Sequence, residues 1–421
     1  MENMLPRTSF FIISLLIVLF CVCESYGSDK VVRPYTDAEQ KMVDATNNAA
    51  DEIVGWMEGG RIVVTSESLK TWANCIDYWN PLWDDESYAV STRYGDIIAA
   101  PYYLSGSVMM DMVKTPGVGT WGGKNNGELA EFFKPIRPGD VIRQWVERPI
   151  IEDVTEGDGP RTFRISTTIC FINQRDELVY RATSYLTNSF TTEFTETGPA
   201  GRRPMVESER HVYTDEDWEF IEGIAEAEEI RGKKIRYWED VNVGDEPQWV
   251  IAEPTTVIDM IKLNARGVMA MLPLREVDKE AQKELYKDEY GVYHWTLEGH
   301  YVGRNGGRST HYMAFGKQLM ARLITNWMGD DGWLKKADSK NYGEHEHLKG
   351  VEAIQGKKII GVHGSEGDAV IAKAVVTKKY IEDGEHLVDV VVWTESITGE
   401  IWQNCKCTVK LVSRENEIKW K

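Results

Sequence analysis

Basic residues and cysteines are both scarce in this chain of 421 residues. The 48 Lys and Arg residues are outnumbered by 67 Asp and Glu residues, which gives a net charge of −19 at pH 7. A nucleic-acid partner requires a basic face, so we do not expect one. The six cysteines lack zinc-finger spacing, and no metal site is expected. No Asn-x-Ser/Thr acceptor is present, so glycosylation gives no support for secretion.

An apolar run at residues 10–23 follows Arg7 and precedes a polar stretch. The run is shorter than the ~18 apolar residues that suggest a membrane span, and its flanks are typical of a secretory signal. We therefore predict that residues 1–28 form a signal segment that does not pack on the core. Two alternatives stay open: a short anchor that contacts a membrane through residues 10–23, and an extension upstream of a working protein that starts near Met42.

The rest of the chain contains two unequal copies of one pattern, in which helix is followed by long strands. The first copy covers residues 35–195 and the second residues 233–414. Residues 196–232 form a boundary with an acidic, helical connector at 222–229. Period-two alternation predicts the long strands. These are expected at residues 141–146, 163–172, 178–186, 368–376, 386–394 and 401–412.

Helical spacing predicts one long helix near residues 68–78 and another that begins near Thr255. A further apolar helix is predicted at 312–327, and Gly-Asp-Asp-Gly at 329–332 is expected to end it. We expect the first two helices each to be wrapped by an antiparallel sheet. Because the pattern is duplicated, the two sheets are expected to join edge to edge into one continuous surface. The fold class is α+β.

The motifs of the first copy are more specific than its periodicity. Asn-Pro-Leu-Trp-Asp at 80–84 is followed by Tyr-Ala at 88–89, by Gly95, and by Ala-x-Pro at 99–101. The segment 131–140 is then interpreted as a strand that ends in the turn Arg-Pro-Gly-Asp. In this order the motifs resemble the MaoC-like acyl dehydratases and R-specific enoyl-CoA hydratases. The form that fits is the tandem, or double, hot-dog, with a FAS1-like dehydratase as its N-terminal unit.

The resemblance implies an acyl-CoA hydratase or dehydratase, which adds or removes water across the α,β-double bond of an acyl thioester. CoA would be the carrier part of the substrate, and no separate cofactor is implied. The resemblance also allows a homodimer of the double hot-dog. Acyl-CoA chemistry favours an intracellular compartment, and this expectation fits poorly with a signal segment. Two alternatives stay open: a hot-dog protein that binds an acyl thioester or another apolar ligand without turnover, and a hot-dog thioesterase.

In this family the catalytic pair is an Asp and a His five positions later. The matching positions in the first copy are Tyr78 and Trp83, while Asp77 is one step off. Neither catalytic side chain is kept, so the resemblance implies that the N-terminal unit binds the acyl chain. Its predicted binding residues are Asp77, Asn80, Trp83 and Gly95.

The catalytic half is therefore expected to be C-terminal. Glu289 and His294 reproduce the spacing of the family's pair with Glu in place of Asp, and Asp259 is an alternative carboxylate. A carboxylate and an imidazole can hold a water, take one proton and give another. Gly316, near the start of a predicted helix, would let a developing enolate oxygen approach backbone N–H donors. A packed or surface histidine is the competing interpretation of His294.

An anionic carrier would also need a local basic patch. Arg202-Arg203 and the segment 231–236 are candidates, although solvated linker charge is the favoured interpretation of each. Two further patterns are interpreted as loops. Gly-x-Gly-x-x-Gly at 117–122 lacks the flanking strand and helix of a dinucleotide site, and His-Glu-His at 345–347 lies in a Lys/Gly/Asn-rich segment.

Overall fold

The structure is a computed structural model of the full chain. It describes twelve parts of the chain, which are residues 33–57, 61–75, 77, 79–104, 123–189, 194–195, 198–199, 211–255, 313–341, 345–360, 364 and 367–416. Among these residues, no helix has both the length and the apolar character that a membrane span requires. The predicted signal segment 1–28 and the predicted helix beyond Thr255 lie outside the described residues.

The helices of the described parts mostly begin at a residue whose side chain caps them. They are α1 (Asp37–Glu52), α2 (Ser66–Ala73), α3 (Pro81–Asp84), α4 (Glu86–Val90), α5 (Asp215–Ala227) and α6 (Met313–Met328). Thr36, Thr65 and Thr214 each form a capping box, which satisfies backbone N–H groups that the first helical turn would leave unpaired. This local chemistry fixes where α1, α2 and α5 begin.

Most of the strands belong to one 12-stranded antiparallel sheet, whose order is β1-β4-β6-β7-β3-β11-β14-β13-β12-β10, with β2 on β4 and β5 on β6. The strands of the N-terminal unit are β1 (Gly55–Trp56), β2 (Ile62–Val63), β3 (Gly123–Phe132), β4 (Val141–Val146), β5 (Ile150–Asp153), β6 (Thr162–Ile172) and β7 (Leu178–Ser189). A separate short pair, β8 (Phe194–Thr195) and β9 (Gly198–Pro199), follows. The strands of the C-terminal unit are β10 (Val250–Ala252), β11 (Trp333–Lys340), β12 (Val370–Glu382), β13 (Glu385–Ser396) and β14 (Ile401–Lys410).

The two units join through the pairing of β3 with β11, in register from Glu131 opposite Lys336 to Gly127 opposite Lys340. The expected continuous sheet is therefore confirmed. Gly127, at a φ of 148°, permits the joint because a Cβ there would lie 2.0 Å from the backbone oxygen of Ser339. Any other residue would push the strands apart at the point where the units meet.

The central helix of the C-terminal unit is α6, which packs against β10 to β14. Leu319, Met320 and Leu323 are almost fully buried on this helix. Burial of each such side chain contributes about 1.5–3 kcal/mol, so the helix is fixed mainly by its apolar face. It ends at Gly329, whose φ is +73°, in agreement with the predicted Gly-Asp-Asp-Gly terminator.

Two predicted helices differ from the observed ones. The helix expected near residues 68–78 is the short α2, because Asn74 caps its C-terminus and the chain turns toward the Asn-Pro segment. The connector helix is α5, which begins well before the predicted residue 222 because Thr214 and Asp217 cap each other's backbone. In both cases a capping or turning residue decided a boundary that hydrophobic spacing alone placed incorrectly.

Candidate active site between the two units

A groove of about 650 Å³ lies between the two units. The N-terminal unit contributes the Asn-Pro segment, the segment 94–104 and parts of β3 and β7, while the C-terminal unit contributes the end of α6 and the start of β11. Aromatic and aliphatic side chains predominate among the lining residues, which include Trp83, Ile98, Tyr102, Phe132, Tyr180 and Met328. Apolar concavities with a few polar groups are typical of small-molecule sites.

The polar ends of several lining aromatic residues point to protein partners. The indole N–H of Trp333 donates to the backbone oxygen of Phe132 at 2.8 Å. The hydroxyl of Tyr180 donates to Glu128 at 3.2 Å, and that of Tyr103 pairs with the Ser68 hydroxyl at 2.7 Å. Because these polar atoms are engaged by protein, the rings offer mainly apolar surface to the groove.

The Asn-Pro segment places two of the predicted binding residues on the groove. Asn80 caps α3 by accepting the backbone N–H of Leu82 at 3.1 Å, and Pro81 is the first helical residue. Asn80 and Trp83 both line the groove. Gly95 lies in a turn with a φ of +70°, beside the lining residue Tyr94 but not among the described lining residues. Their roles in ligand binding stay predictions.

Asp77 lies behind Trp83 and does not line the groove. Its carboxyl accepts the Trp83 indole N–H at 2.7 Å, and the Arg322 guanidinium is 3.9 Å from its other oxygen. Burial raises the pKa of Asp77 to about 7, against the lowering effects of Arg322 and the Trp83 hydrogen bond. The Trp that replaces the family's His is thus a hydrogen-bond donor to this enclosed carboxyl.

Arg322 is shared between Asp77 and a second carboxylate. It makes a two-pronged ion pair with Glu228, with distances of 2.7 and 2.5 Å, and Asn326 donates to the same carboxylate at 2.7 Å. Both charged side chains are about nine-tenths buried. The cluster of Asp77, Trp83, Glu228, Arg322 and Asn326, called here the enclosed cluster, ties the Asn-Pro segment and the linker to α6.

Sequence reasoning missed Asp330, which is the one carboxyl side chain among the described residues that line the groove. It is only 6% exposed and accepts the Tyr88 hydroxyl at 2.7 Å. The signal was present, since Asp330 belongs to the Gly-Asp-Asp-Gly segment and Tyr88 to the Tyr-Ala motif. The first was interpreted as a helix terminator and as part of the resemblance of the second copy to the family, not as a site, and nothing in the sequence pairs it with the second.

Gly316 lies in the first turns of α6, where the side chain of Gln403 occupies the space beside it. A Cβ at this position would lie 1.7 Å from the Oε1 atom of Gln403, so glycine allows that amide to pack on the helix. The next residue, Lys317, forms a buried ion pair with Glu128 at 2.9 Å across the junction between the units. The predicted role of Gly316 beside an enolate oxygen stays a prediction.

The basic segment 231–236 lines a second pocket of about 370 Å³ through Arg231 and Arg236, together with Glu228 and Glu229. The Arg236 side chain donates to the backbone oxygen of Trp327 at 2.6 Å, and burial lowers its pKa to about 10. The acidic neighbours offset the positive charge. Arg202-Arg203, the other candidate patch, lies outside the described residues.

The fold brings a further ligand-type residue close to two residues of the His-Glu-His segment. Glu346 and His347 approach Asp338 of β11, with their ligand atoms within 4.8 Å of one another. The Lys340 ammonium lies 3.1 Å from both Asp338 and Glu346, so the two carboxylates already share a cation. A metal ion would have to displace this lysine. The predicted catalytic residues Glu289, His294 and Asp259 lie outside the described residues.

The N-terminal unit matches a known family by sequence. Residues 52–182 match the family model of the FAS1-like dehydratase domain region. This match covers the Asn-Pro segment, the Arg-Pro-Gly-Asp turn and most of the strands that wall the groove. A search of curated proteins finds no match to this chain.

Solved structures match both units together. A MaoC-like dehydratase is similar with a TM-score of 0.54 at 15% identity, over 86% of this chain and 100% of that one. A MaoC domain dehydratase from Chloroflexus aurantiacus has a TM-score of 0.50 at 12% identity, over 86% of this chain and 95% of that one. A conserved protein from Mycobacterium tuberculosis, described as having a double hotdog fold, has a TM-score of 0.50 at 9% identity, over 86% and 97%.

The fold is therefore a double hot-dog of the α+β class, as the sequence predicted. The resemblance to the MaoC-like dehydratases, with a FAS1-like N-terminal unit, is confirmed. The family-model match is confined to residues 52–182, and the solved structures, at 15%, 12% and 9% identity, show the fold alone.

Proposed function

We propose that this protein adds or removes water across the α,β-double bond of an acyl thioester, and that the groove between its units holds the acyl chain. The observation that carries the proposal is the groove itself, an apolar concavity of about 650 Å³ bordered by the Asn-Pro segment and by α6. An acyl chain can lie along such walls because burial of apolar surface drives its binding, at roughly 25 cal/mol per Å². CoA would be the carrier, and no other cofactor is proposed.

The chemistry is assigned to the C-terminal unit. His294 together with Glu289, or else Asp259, would hold the water and exchange protons with it. Asp77 is not assigned this role, because Trp83 and Arg322 enclose it and it does not line the groove. A group that transfers protons to a substrate must come within hydrogen-bonding reach of it.

Two substitutions separate binding from turnover. His294→Ala should lower the hydration rate of decenoyl-CoA by ~100-fold or more, the usual contribution of a positioned acid or base, with little change in decanoyl-CoA affinity. Trp83→Ala should weaken decanoyl-CoA binding by opening the groove wall. His345→Ala, at an exposed histidine, is the matched control and should leave turnover unchanged. Unchanged turnover in His294→Ala would remove the assignment.

A non-catalytic acyl-thioester binding protein is the second candidate. The observation that favours it is the replacement of the family's His by Trp83, whose indole closes off the remaining carboxyl. This candidate predicts decanoyl-CoA binding in the wild-type chain without hydration of decenoyl-CoA. Addition of a thiol reagent to the same assay detects a thioesterase, because that enzyme would release the free thiol of CoA.

A further inference from the structure

We propose that Asp330, held in place by Tyr88, is a specificity-determining residue that selects acyl chains bearing a hydroxyl group beyond the reacting carbons. The inference rests on the proposed function, because it takes the groove as the site of the acyl chain. It narrows the proposed ligands of the groove from acyl chains in general to acyl chains that carry a hydroxyl group.

The position of Asp330 is fixed by the fold on three sides. The residue follows the terminating Gly329 of α6, and its backbone N–H donates to the backbone oxygen of Gly232 at 2.9 Å. The Tyr88 hydroxyl donates to its Oδ2 atom at 2.7 Å. The backbone of Asp330 is therefore held by the linker and its side chain by Tyr88 of the N-terminal unit, so the side chain cannot rotate away without losing the Tyr88 hydrogen bond.

Tyr88 itself is held in one orientation. The Lys233 ammonium lies 4.1 Å from the centre of its ring. A Cβ at residue 232 would lie 2.6 Å from the Tyr88 hydroxyl, so glycine is the residue that allows the hydroxyl to pass and reach Asp330. Contacts of this kind hold Tyr88 in place, and Tyr88 in turn keeps Asp330 in a fixed geometry.

The electrostatic surroundings of Asp330 favour its neutral form more than water would. Burial raises its pKa, and the neighbouring carboxylate of Asp331 raises it further, while Tyr88, Lys233 and Arg93 act in the opposite direction. The C-terminus of α6 adds negative potential at the same place. A carboxyl of this kind can accept a hydrogen bond or, once protonated, donate one.

The consequence is a carboxyl group in a wall that is mostly apolar. A hydrocarbon chain laid against Asp330 would exclude water from the carboxyl and give no hydrogen bond in return, whereas a hydroxyl would restore the bond. Sites built to bond a hydroxyl reject the analogue that lacks it, because their buried polar groups are then left unpaired. The groove is thus expected to discriminate by hydroxyl position as well as by chain length.

The test is equilibrium binding of decanoyl-CoA and of its 3-, 5-, 7- and 10-hydroxy derivatives to the full chain. We expect one of the 5-, 7- or 10-hydroxy isomers to bind at least ~10-fold more tightly than decanoyl-CoA. Asp330→Leu should abolish or reverse this preference, and Asp330→Asn, the conservative variant, should retain part of it. Asp331→Asn is the matched control beside it and should leave the preference intact.

The outcomes separate the two proposals. Decanoyl-CoA binding without any hydroxyl preference, or with a preference for the 3-hydroxy isomer alone, overturns the inference and leaves the proposed function standing. The same holds if a preference survives unchanged in both Asp330→Leu and Asp330→Asn. Failure of every acyl-CoA to bind the wild-type chain overturns the proposed function, and the inference with it.

Discussion

Asp77 and Asp330 are two buried carboxyls at the junction of the same two units, and burial raises the pKa of both. They differ in what surrounds them. Asp77 has Trp83 on one oxygen and the Arg322 guanidinium near the other, and it does not line the groove. Asp330 lines the groove and accepts a hydrogen bond from the neutral Tyr88 hydroxyl.

The comparison shows that the Asn-Pro motif and the groove-lining carboxyl are separate features of this chain. The Asn-Pro segment leads to a carboxyl that is committed to the enclosed cluster. Among the described residues, the carboxyl that lines the groove comes instead from the end of α6 in the other unit. An acidic residue therefore has to be judged by its surroundings rather than by its distance from a motif.

The largest expected effect tests whether the enclosed cluster is structural. Arg322→Met removes the counter-charge of Glu228 and of Asp77, and uncompensated buried charge typically costs about 3–5 kcal/mol of unfolding free energy. Urea unfolding measures the loss. Lys358→Met removes an exposed ion pair with Glu400 and should cost less than about 1 kcal/mol. Equal losses in the two variants would show that the cluster is not a structural tie.

A smaller effect concerns the pH dependence of stability. The folded pKa of Asp77 is about 7, above the unfolded value of about 3.9, so the folded state retains a proton that the unfolded state has lost. Stability contributed by Asp77 is therefore full below about pH 4 and is lost as the pH rises through about 7. Asp77→Asn should gain at least about 1 kcal/mol relative to wild type between pH 4 and pH 8.

The control for that experiment is a carboxylate whose contribution to stability changes with pH in the opposite direction. Hydrogen bonds from Thr214 and His211 lower the pKa of the surface residue Asp217, so its contribution is present above about pH 4 and lost as the pH falls. Asp217→Asn should therefore approach wild-type stability at acid pH. A pH profile of Asp77→Asn parallel to that of wild type would show that Asp77 has no raised pKa.

The smallest effect concerns the groove carboxyl. Tyr88→Phe removes one hydrogen bond to Asp330 and should cost about 0.5–1.5 kcal/mol of stability. Tyr380→Phe removes a comparable bond to Asp389 away from the groove and should cost a similar amount. Only Tyr88→Phe should also change acyl-CoA binding. Equal binding by the two variants would argue that Tyr88 has no part in the ligand site.

Much of the fold could be predicted because the relevant strands bury one face. The predicted strand 141–146 is β4 as observed, and the bounds of β6, β7, β13 and β14 were each predicted to within about three residues. β12 was also predicted, but it continues to Glu382, beyond the predicted end at residue 376. Alternating burial makes these strands visible, as in β4, where every second side chain is buried. Helix α6 was recognised for the corresponding reason, since its apolar spacing faces the sheet.

The two strands that join the units were the ones that the pattern did not indicate. β11 was not predicted, and most of β3 lies before residue 131, where strand was expected to begin. Their sequences are rich in Lys, Asn, Glu and Ser, so no apolar alternation marks them. Glu128 of β3 is nevertheless buried, because Lys317 of the other unit compensates its charge.

The sequence by itself determined the duplicated α+β plan, the family resemblance and the position of Asn80 and Trp83 in the segment that borders the groove. These depend on local capping, on side-chain periodicity and on motifs that lie within one stretch of chain. The tertiary structure decided that Asp77 is enclosed, that Asp330 meets Tyr88 and that Gly316 packs on Gln403. Each of these facts depends on residues far apart in the chain. Packing of one unit against the other brings Arg322 to Asp77 and Tyr88 to Asp330, whereas packing of α6 on the sheet within the C-terminal unit brings Gly316 to Gln403.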